Sequence, residues 1–459
     1  MKNNIFRFIF LLILSNTAFA NVTLPNIFSD NMVLQRNAEV TIWGWANPQE
    51  EVLITPSWNN ETYKIKASNQ AKWEIVIPTS KEGGPYTIAI KGYNEIVLKN
   101  ILIGEVWICS GQSNMEMNAS WGIENGDEVV KNATTPNIRF FSVPKLTATT
   151  PQDNLSGTWT ACTPETMKYF SAVGYFFGKR LQEELKNVPI GLISSNWGGT
   201  PAEIWMPEEV IQNDAVLLES AKTRKEESYG PNQPGRAFNA MIYPLTQFKI
   251  AGALWYQGES NVGSAVYDKT LSALITSWRQ LWKYDFPFYY VQIAPYKYGE
   301  DHFGGSIIRD AQRKVLQEVP NTGMVVISDV STAEDIHPKD KKSVGTRLAN
   351  LALANTYKTN STLVNGPLYK GFNIEKNKLT VTFEYAEGLY FKEKKADLFE
   401  VSGADNVFYK ATAVIKNNSV VVQSDKVKTP TKVRYAWKNT DQATLFNKAN
   451  LPASSFISE

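Results

Sequence analysis

Between residues 101 and 357, short apolar runs alternate with stretches of helical periodicity. No other feature of this 459-residue chain narrows its fold as much. The runs are 101–110 (ILIGEVWICS), 188–195 (VPIGLISS), 250–256 (IAGALWY), 288–293 and 323–328. A helical stretch over 173–187 precedes the second run. Another, with Leu271, Leu274, Trp278 and Leu281 on one face, follows the third. His337-Pro338 is expected to open a further helix through Val344, Leu348 and Leu351, with proline at its first position. Strands that alternate with helices imply a parallel sheet covered on both faces.

The flanks have a different rhythm. In 21–100, runs such as 39–43 (EVTIW), 52–55, 73–77 and 86–90 are punctuated by Pro, Gly and Asn. From about Gly366 the same pattern returns, at 379–383, 397–401, 412–415, 419–422 and 432–436. Short strands at such spacing read as β-sandwich-like segments. The expected fold class is therefore α/β, with a central parallel sheet in 101–357 flanked by β-sandwich-like segments at 21–100 and 366–459.

Residues 1–20 have the parts of a secretory signal peptide. Lys2 and Arg7 form the positive region, FIFLLIL the apolar core, and Ala18-Phe19-Ala20 the small-residue cleavage site. The apolar core is too short to span a bilayer, and no later segment offers about 20 uninterrupted apolar residues, so an exported chain without a membrane span is expected.

Counts of a few residue types limit the chemistry. Lys+Arg 47 against Asp+Glu 45 leaves a net charge of +2, too weak a field to argue for nucleic acid or anionic membrane as a partner. Two cysteines, Cys109 and Cys162, rule out a cysteine-rich zinc site; export would permit a disulfide between them. The two histidines, His302 and His337, rule out a histidine-rich metal centre. A mechanism with a histidine base must use one of them.

In an open parallel sheet, chemistry collects at the carboxyl ends of the strands. The first such end here is Ser110-Gly-Gln-Ser-Asn-Met115. A serine at this turn places its hydroxyl at a helix N-terminus, where backbone N–H groups favour developing negative charge. From position alone, Ser113 as a helix cap is the simpler reading. The other strand ends shift that balance. Asn196-Trp-Gly-Gly-Thr200, Trp255-Tyr-Gln-Gly-Glu-Ser-Asn261 and Asp335-Ile-His-Pro338 each bring polar or charged groups, the first two with glycine, as a convergent polar site requires.

Ser110-Gly-Gln-Ser-Asn-Met115, Trp255-Tyr-Gln-Gly-Glu259 and Asp335-Ile-His-Pro338 together resemble the sialate O-acetylesterase family, within the SGNH/GDSL-like hydrolases. The resemblance spans roughly residues 101–357, and Asp30-Asn-Met-Val-Leu-Gln35 is similar to the leader domain of bacterial members. It implies that Ser113 is the nucleophile and His337 the general base. Candidate oxyanion donors are the Ser113 N–H, the Gly198-Gly199 turn and Gln257, with Glu259 and Asn261 organising the site. His302 matches no motif and reads as a rim histidine. For the third member of the triad, Asp335 is the first choice, since a two-residue offset in extended chain puts it on the side of His337. Glu334, Asp329 and a backbone carbonyl remain open, because that member mainly fixes tautomer and orientation.

The reaction so implied is hydrolysis of an acetyl ester on a sugar hydroxyl through an acetyl-serine, with no metal or organic cofactor. The partner is an O-acetylated sugar, from sialoglycans or from xylan or pectin-type polysaccharides. A non-catalytic carbohydrate-binding protein built from the β segments is the reading of another class, and it would bind sugar without releasing acetate. A lipase-like reading lacks a long apolar lid sequence. Trp197, Trp205, Trp255 and Tyr256 flank the motifs. Trp255 reads as core, while Trp197 and Trp205 suit core packing and sugar stacking equally.

Overall fold

The computed structural model describes residues 21–225, 227–299, 303–359 and 362–458. The leader at 1–20 and His302 lie outside the described residues.

The central sheet is built from strands β1 (Glu95–Gly111), β2 (Thr135–Ser142), β3 (Ile190–Asn196), β4 (Gly252–Tyr256), β5 (Phe288–Val291) and β6 (Thr322–Val325), in spatial order 2-3-1-4-5-6. All of these pair in parallel. Trp159–Cys162 adds an antiparallel edge outside β2, so the sheet is mixed rather than wholly parallel. After β1 the chain builds one side with β2 and β3, then crosses to build the other with β4 to β6. The ends of β3, β1 and β4 thus lie side by side where the order reverses, the place at which open α/β sheets form sites.

Side chains of the buried strands alternate between two cores. Val106 and Ile108 face one, Trp107 and Cys109 the other; Ala253 and Trp255 oppose Leu254 and Tyr256 in the same way. Helices α1 (Ala172–Glu184) and α4 (Lys341–Asn355) close the second face with Val173, Phe177, Leu181, Val344, Leu348 and Leu351. Helices α2 (Tyr267–Trp282) and α3 (Gly304–Glu318) share the first face with the N-terminal β segment, whose Ile42, Val52, Ile54 and Ile88 belong to the same core as Trp255 and Trp278.

That shared core has a covalent counterpart. β1 is 17 residues long, and the boundary expected at residue 101 falls inside it. Its first half pairs with Gly83–Lys91 and Val33–Gln35, its second half with β3 and β4. At the junction the buried carboxylate of Glu105 accepts from Arg36 Nε at 2.5 Å, Gln35 Nε2 at 2.9 Å and the Tyr357 hydroxyl at 3.0 Å. A buried charge is tolerable only when satisfied in this manner.

The C-terminal strands include Lys378–Glu384, Phe399–Ser402, Thr412–Lys416, Ser419–Gln423 and Lys432–Tyr435, close to the expected runs, and they enclose a core of their own around Val381, Val401, Val422 and Val433. Arg309 of α3 is buried and donates to the carbonyls of Lys438 and Asn439 and to Ser455 Oγ, fastening this segment to the central sheet.

One local expectation needs correction. The helix after His337 begins at Lys341, not at Pro338. Asp340 accepts from the Ser343 N–H at 2.8 Å and so supplies the cap, leaving His337 and Pro338 in the loop before it. Cys109 and Cys162 are both free and buried, and burial pushes both thiols up. Among the described residues no helix is long and apolar enough to cross a membrane.

Candidate active site

The strand ends converge on Ser113. β1 ends at Gly111, whose φ of +135° belongs to glycine and where a side chain would run into the Tyr256 carbonyl of β4. The chain then turns into the short helix Ser113–Glu116. Gln112 ties this turn to the end of β4, its Oε1 accepting from the Ser260 N–H at 3.1 Å. Ser113 occupies the first turn, where the backbone N–H has no intrahelical partner. Its hydroxyl does not cap the helix: Ser113 Oγ lies 2.8 Å from His337 Nε2, across 224 residues of sequence.

Burial lowers the His337 pKa, the nearby Lys341 charge lowers it further, and Asp335 opposes both. These effects favour a neutral imidazole, the form able to accept a proton. Asp335 is beside His337, but its Oδ1 accepts from the His337 main-chain N–H at 2.8 Å, so its contact is with the backbone rather than the ring. Glu334 is exposed, and Asp329 is paired with Arg347 at 2.6 Å. Neither of these two alternatives meets the ring either.

The proposed oxyanion donors separate. Gly198 is beside Ser113, and a Cβ there would lie 3.2 Å from Ser113 Cβ. Its N–H donates to Glu116 Oε2 at 2.7 Å, while Glu116 Oε1 pairs with Lys145 at 2.6 Å. Gly199 turns away at φ +74° and faces the Tyr229 ring. Gln257 is fully buried with its amide committed. Nε2 donates to the Thr200 carbonyl at 3.2 Å and to Asn261 Oδ1 at 2.7 Å, and Oε1 accepts from the Tyr267 hydroxyl. Gln257 is therefore a brace beneath the site and not an open donor within it, because a buried amide must satisfy its own hydrogen bonds first. Asn261 is a second brace, held by the Ala202 N–H and the Glu203 carboxylate. Glu259 lies behind the Ser113 turn, where Oε1 accepts from Asn114 at 2.6 Å and burial raises its pKa.

The aromatic candidates also divide. Trp205, Trp255 and Tyr256 are wholly buried, and Trp205 and Trp255 meet edge to face, so all three are core. Trp197 is partly exposed and donates to the Tyr229 carbonyl. Trp121 escaped the sequence reading. It is 45% exposed, with its ring 6.4 Å from that of His337 at 80°, and nothing in its sequence neighbourhood marks it. Asn114, Gln112 and Glu116 were also missed. They sit inside or beside the Ser110–Met115 motif, and adjacency to Ser113 was the one available signal.

Apposed serine and histidine at the strand ends of a buried α/β sheet are an arrangement that ester hydrolases use. Comparison with known proteins agrees. Residues 103–354 match the family model described as carbohydrate esterase, sialic acid-specific acetylesterase. A sialate O-acetylesterase of Homo sapiens is 29% identical over 94% of this chain and 91% of its own, and that of Mus musculus 27% identical over 99% and 98%. The crystal structure of a carbohydrate acetylesterase from Xanthomonas citri superposes with a TM-score of 0.87 at 33% identity, covering 95% of this chain and 99% of its own. The class is thus carbohydrate esterase. Within it, the chain belongs to the sialic acid-specific acetylesterase family.

Proposed function

We propose that this protein removes O-acetyl groups from sialic acids through an acetyl-serine intermediate, on an SGNH-type arrangement of Ser113 and His337, and that it does so after export. The observation that carries the reading is the 2.8 Å contact between Ser113 Oγ and His337 Nε2. His337 takes the hydroxyl proton as Ser113 attacks the acetyl carbonyl. The Ser113 and Gly198 N–H groups hold the tetrahedral oxyanion; a single donor of this kind is typically worth about 10²–10³ in turnover. For Gly198 to serve, Glu116 must give up its hydrogen bond as the substrate carbonyl arrives. His337 then returns the proton to the leaving sugar oxygen, and water, deprotonated by the same imidazole, releases acetate. Asp335 fixes the turn at His337 through its main-chain N–H and biases the imidazole towards protonation as the reaction proceeds. Trp121 and Trp197 supply apolar faces for a sugar ring at the rim.

A second reading keeps the chemistry and exchanges the sugar for an acetylated polysaccharide of xylan or pectin type. It is favoured by the Xanthomonas citri relative, whose description as a carbohydrate acetylesterase does not name sialate and which is 33% identical to this chain against 29% for the human sialate O-acetylesterase. Parallel incubation with O-acetylated sialoglycans and acetylated xylan, followed by mass spectrometry of the sugars released beside a Ser113→Ala control, decides between them. Deacetylated sialic acid from the wild type alone supports the first reading. Acetate from xylan alone supports the second, and acetate from neither, with sugar binding retained, supports a non-catalytic lectin.

A further inference from the structure

Behind the catalytic pair lies a buried polar cluster that the mechanism above does not use. Its centre is Asn114, the residue after the nucleophile, which is completely buried. Asn114 Nδ2 donates to Glu259 Oε1 at 2.6 Å and to the Ile336 carbonyl at 2.9 Å, and Asn114 Oδ1 accepts from Lys341 Nζ at 2.6 Å. The orientation of the amide is fixed by chemistry, since an ammonium can only donate and a carboxylate and a carbonyl can only accept. One side chain therefore joins the nucleophile's turn, the end of β4, the residue before His337 and the first residue of α4.

The Asp335–His337 segment is gripped from both sides. Asp335 Oδ1 holds the His337 N–H, and Asn114 holds the Ile336 carbonyl. Lys341 is 1% exposed, an uncommon fate for an ammonium at the start of a helix, where the dipole disfavours it. Its charge is faced by Glu259, Asp335 and Asp340, and its Nζ lies 5.3 Å from the centre of the Tyr256 ring. Glu259 Oε2, the Tyr256 hydroxyl and the Tyr298 hydroxyl are buried without hydrogen-bond partners among the described residues around the same cluster. Retaining so much unsatisfied polarity costs stability, and a purely structural core would be better served by apolar side chains.

We propose that Lys341 and Asn114 are positioning residues for the hydrolysis, Lys341 locking Asn114 so that Asn114 sets the distance between Ser113 and His337. The inference rests on the Ser113–His337 reading. Two physical effects support it. A displacement of about 1 Å between reacting groups costs on the order of 10²-fold in rate. The Lys341 charge also opposes protonation of His337, while burial brings Lys341 itself down to about 7, so the cation is present in the weakly acidic range in which His337 needs it.

The test uses the full chain, 4-nitrophenyl acetate as substrate and three variants: Lys341→Met, the double variant Lys341→Met/Glu259→Gln, and Ser113→Ala. Lys341→Met is expected to lower kcat by about 10- to 10²-fold with KM within about threefold. The acid limb of kcat/KM should move to higher pH, because the cation no longer opposes protonation of His337. The double variant, which leaves no lone buried carboxylate, should regain thermal stability without regaining kcat or the wild-type limb, and it carries the same readout if the single variant fails to fold. A folded variant with kcat within threefold of wild type and an unmoved acid limb overturns the proposal. Turnover by Ser113→Ala at the wild-type rate is a separate result, and it would overturn the underlying reading instead.

Discussion

Gly198→Ala separates the fold from the chemistry. A methyl group built on Gly198 would lie 3.1 Å from Glu116 Oε2 and 3.2 Å from Ser113 Cβ, closer than comfortable contact by a few tenths of an ångström on both sides. Both neighbours belong to the Ser113–Glu116 turn, and while the Glu116 carboxylate can swing aside, the Ser113 contact is relieved only by moving Ser113 or Gly198. Complete loss of one oxyanion donor costs about 10²–10³, or about 2.7–4 kcal/mol of barrier. A partial displacement should lower kcat by about 10- to 10²-fold. Gly198 does not adopt a positive φ, so alanine meets no backbone penalty, and mild overpacking costs about 1 kcal/mol of stability. In a chain of this length that moves Tm by no more than about 2–4 °C. Steady-state kinetics on 4-nitrophenyl acetate beside a thermal melt reads both quantities. A variant with kcat within twofold of wild type and an unchanged melt would show that Gly198 does not border the reacting atoms.

Three further outcomes follow from the same geometry. Gln257→Ala strips partners from the Thr200 carbonyl, Asn261 and Tyr267, and should cost about 1–3 kcal/mol of stability; a normal melt with kcat alone reduced would return Gln257 to the oxyanion site. Because burial and Lys341 lower the His337 pKa, the base is neutral above a value below 6.5; kcat/KM should therefore be flat through neutrality and fall only below pH 6.5, and an acid limb centred above 6.5 would contradict this. His337→Ala should be inactive while His302→Ala keeps most of its turnover, and the reverse would move the base to His302.

Much of this was legible in sequence because it is periodic or local. The alternation in Val106–Cys109 and Ala253–Tyr256 placed the buried strands, and the motifs at their ends marked Ser113 and His337. What escaped depended on packing. β2 carries Pro136 and Arg139, which disguise it as loop; in the fold Arg139 is buried and its Nε donates to the Pro136 carbonyl, with Asn31 and Asn100 beside it. The start of α4 was misplaced because Pro338 and Asp340 are both legitimate helix openers, and only the Asp340–Ser343 bond chooses between them. Gln257 stands within the Trp255–Asn261 motif, yet its role turns on whether its hydrogen-bonding capacity is already spent, which no one-dimensional pattern records. Lys341, four residues after His337, looks like one more surface lysine until the helix turns it inward onto Asn114.

The most direct measurement of the central claim is to trap the covalent intermediate. Rapid acid quench of the enzyme during turnover of an O-acetylated sugar, followed by peptide mass spectrometry, should find one added acetyl group on the peptide containing Ser113, and none in Ser113→Ala. Acetate released at the wild-type rate with Ser113 unmodified, or an acetyl group trapped on another residue, would contradict the account.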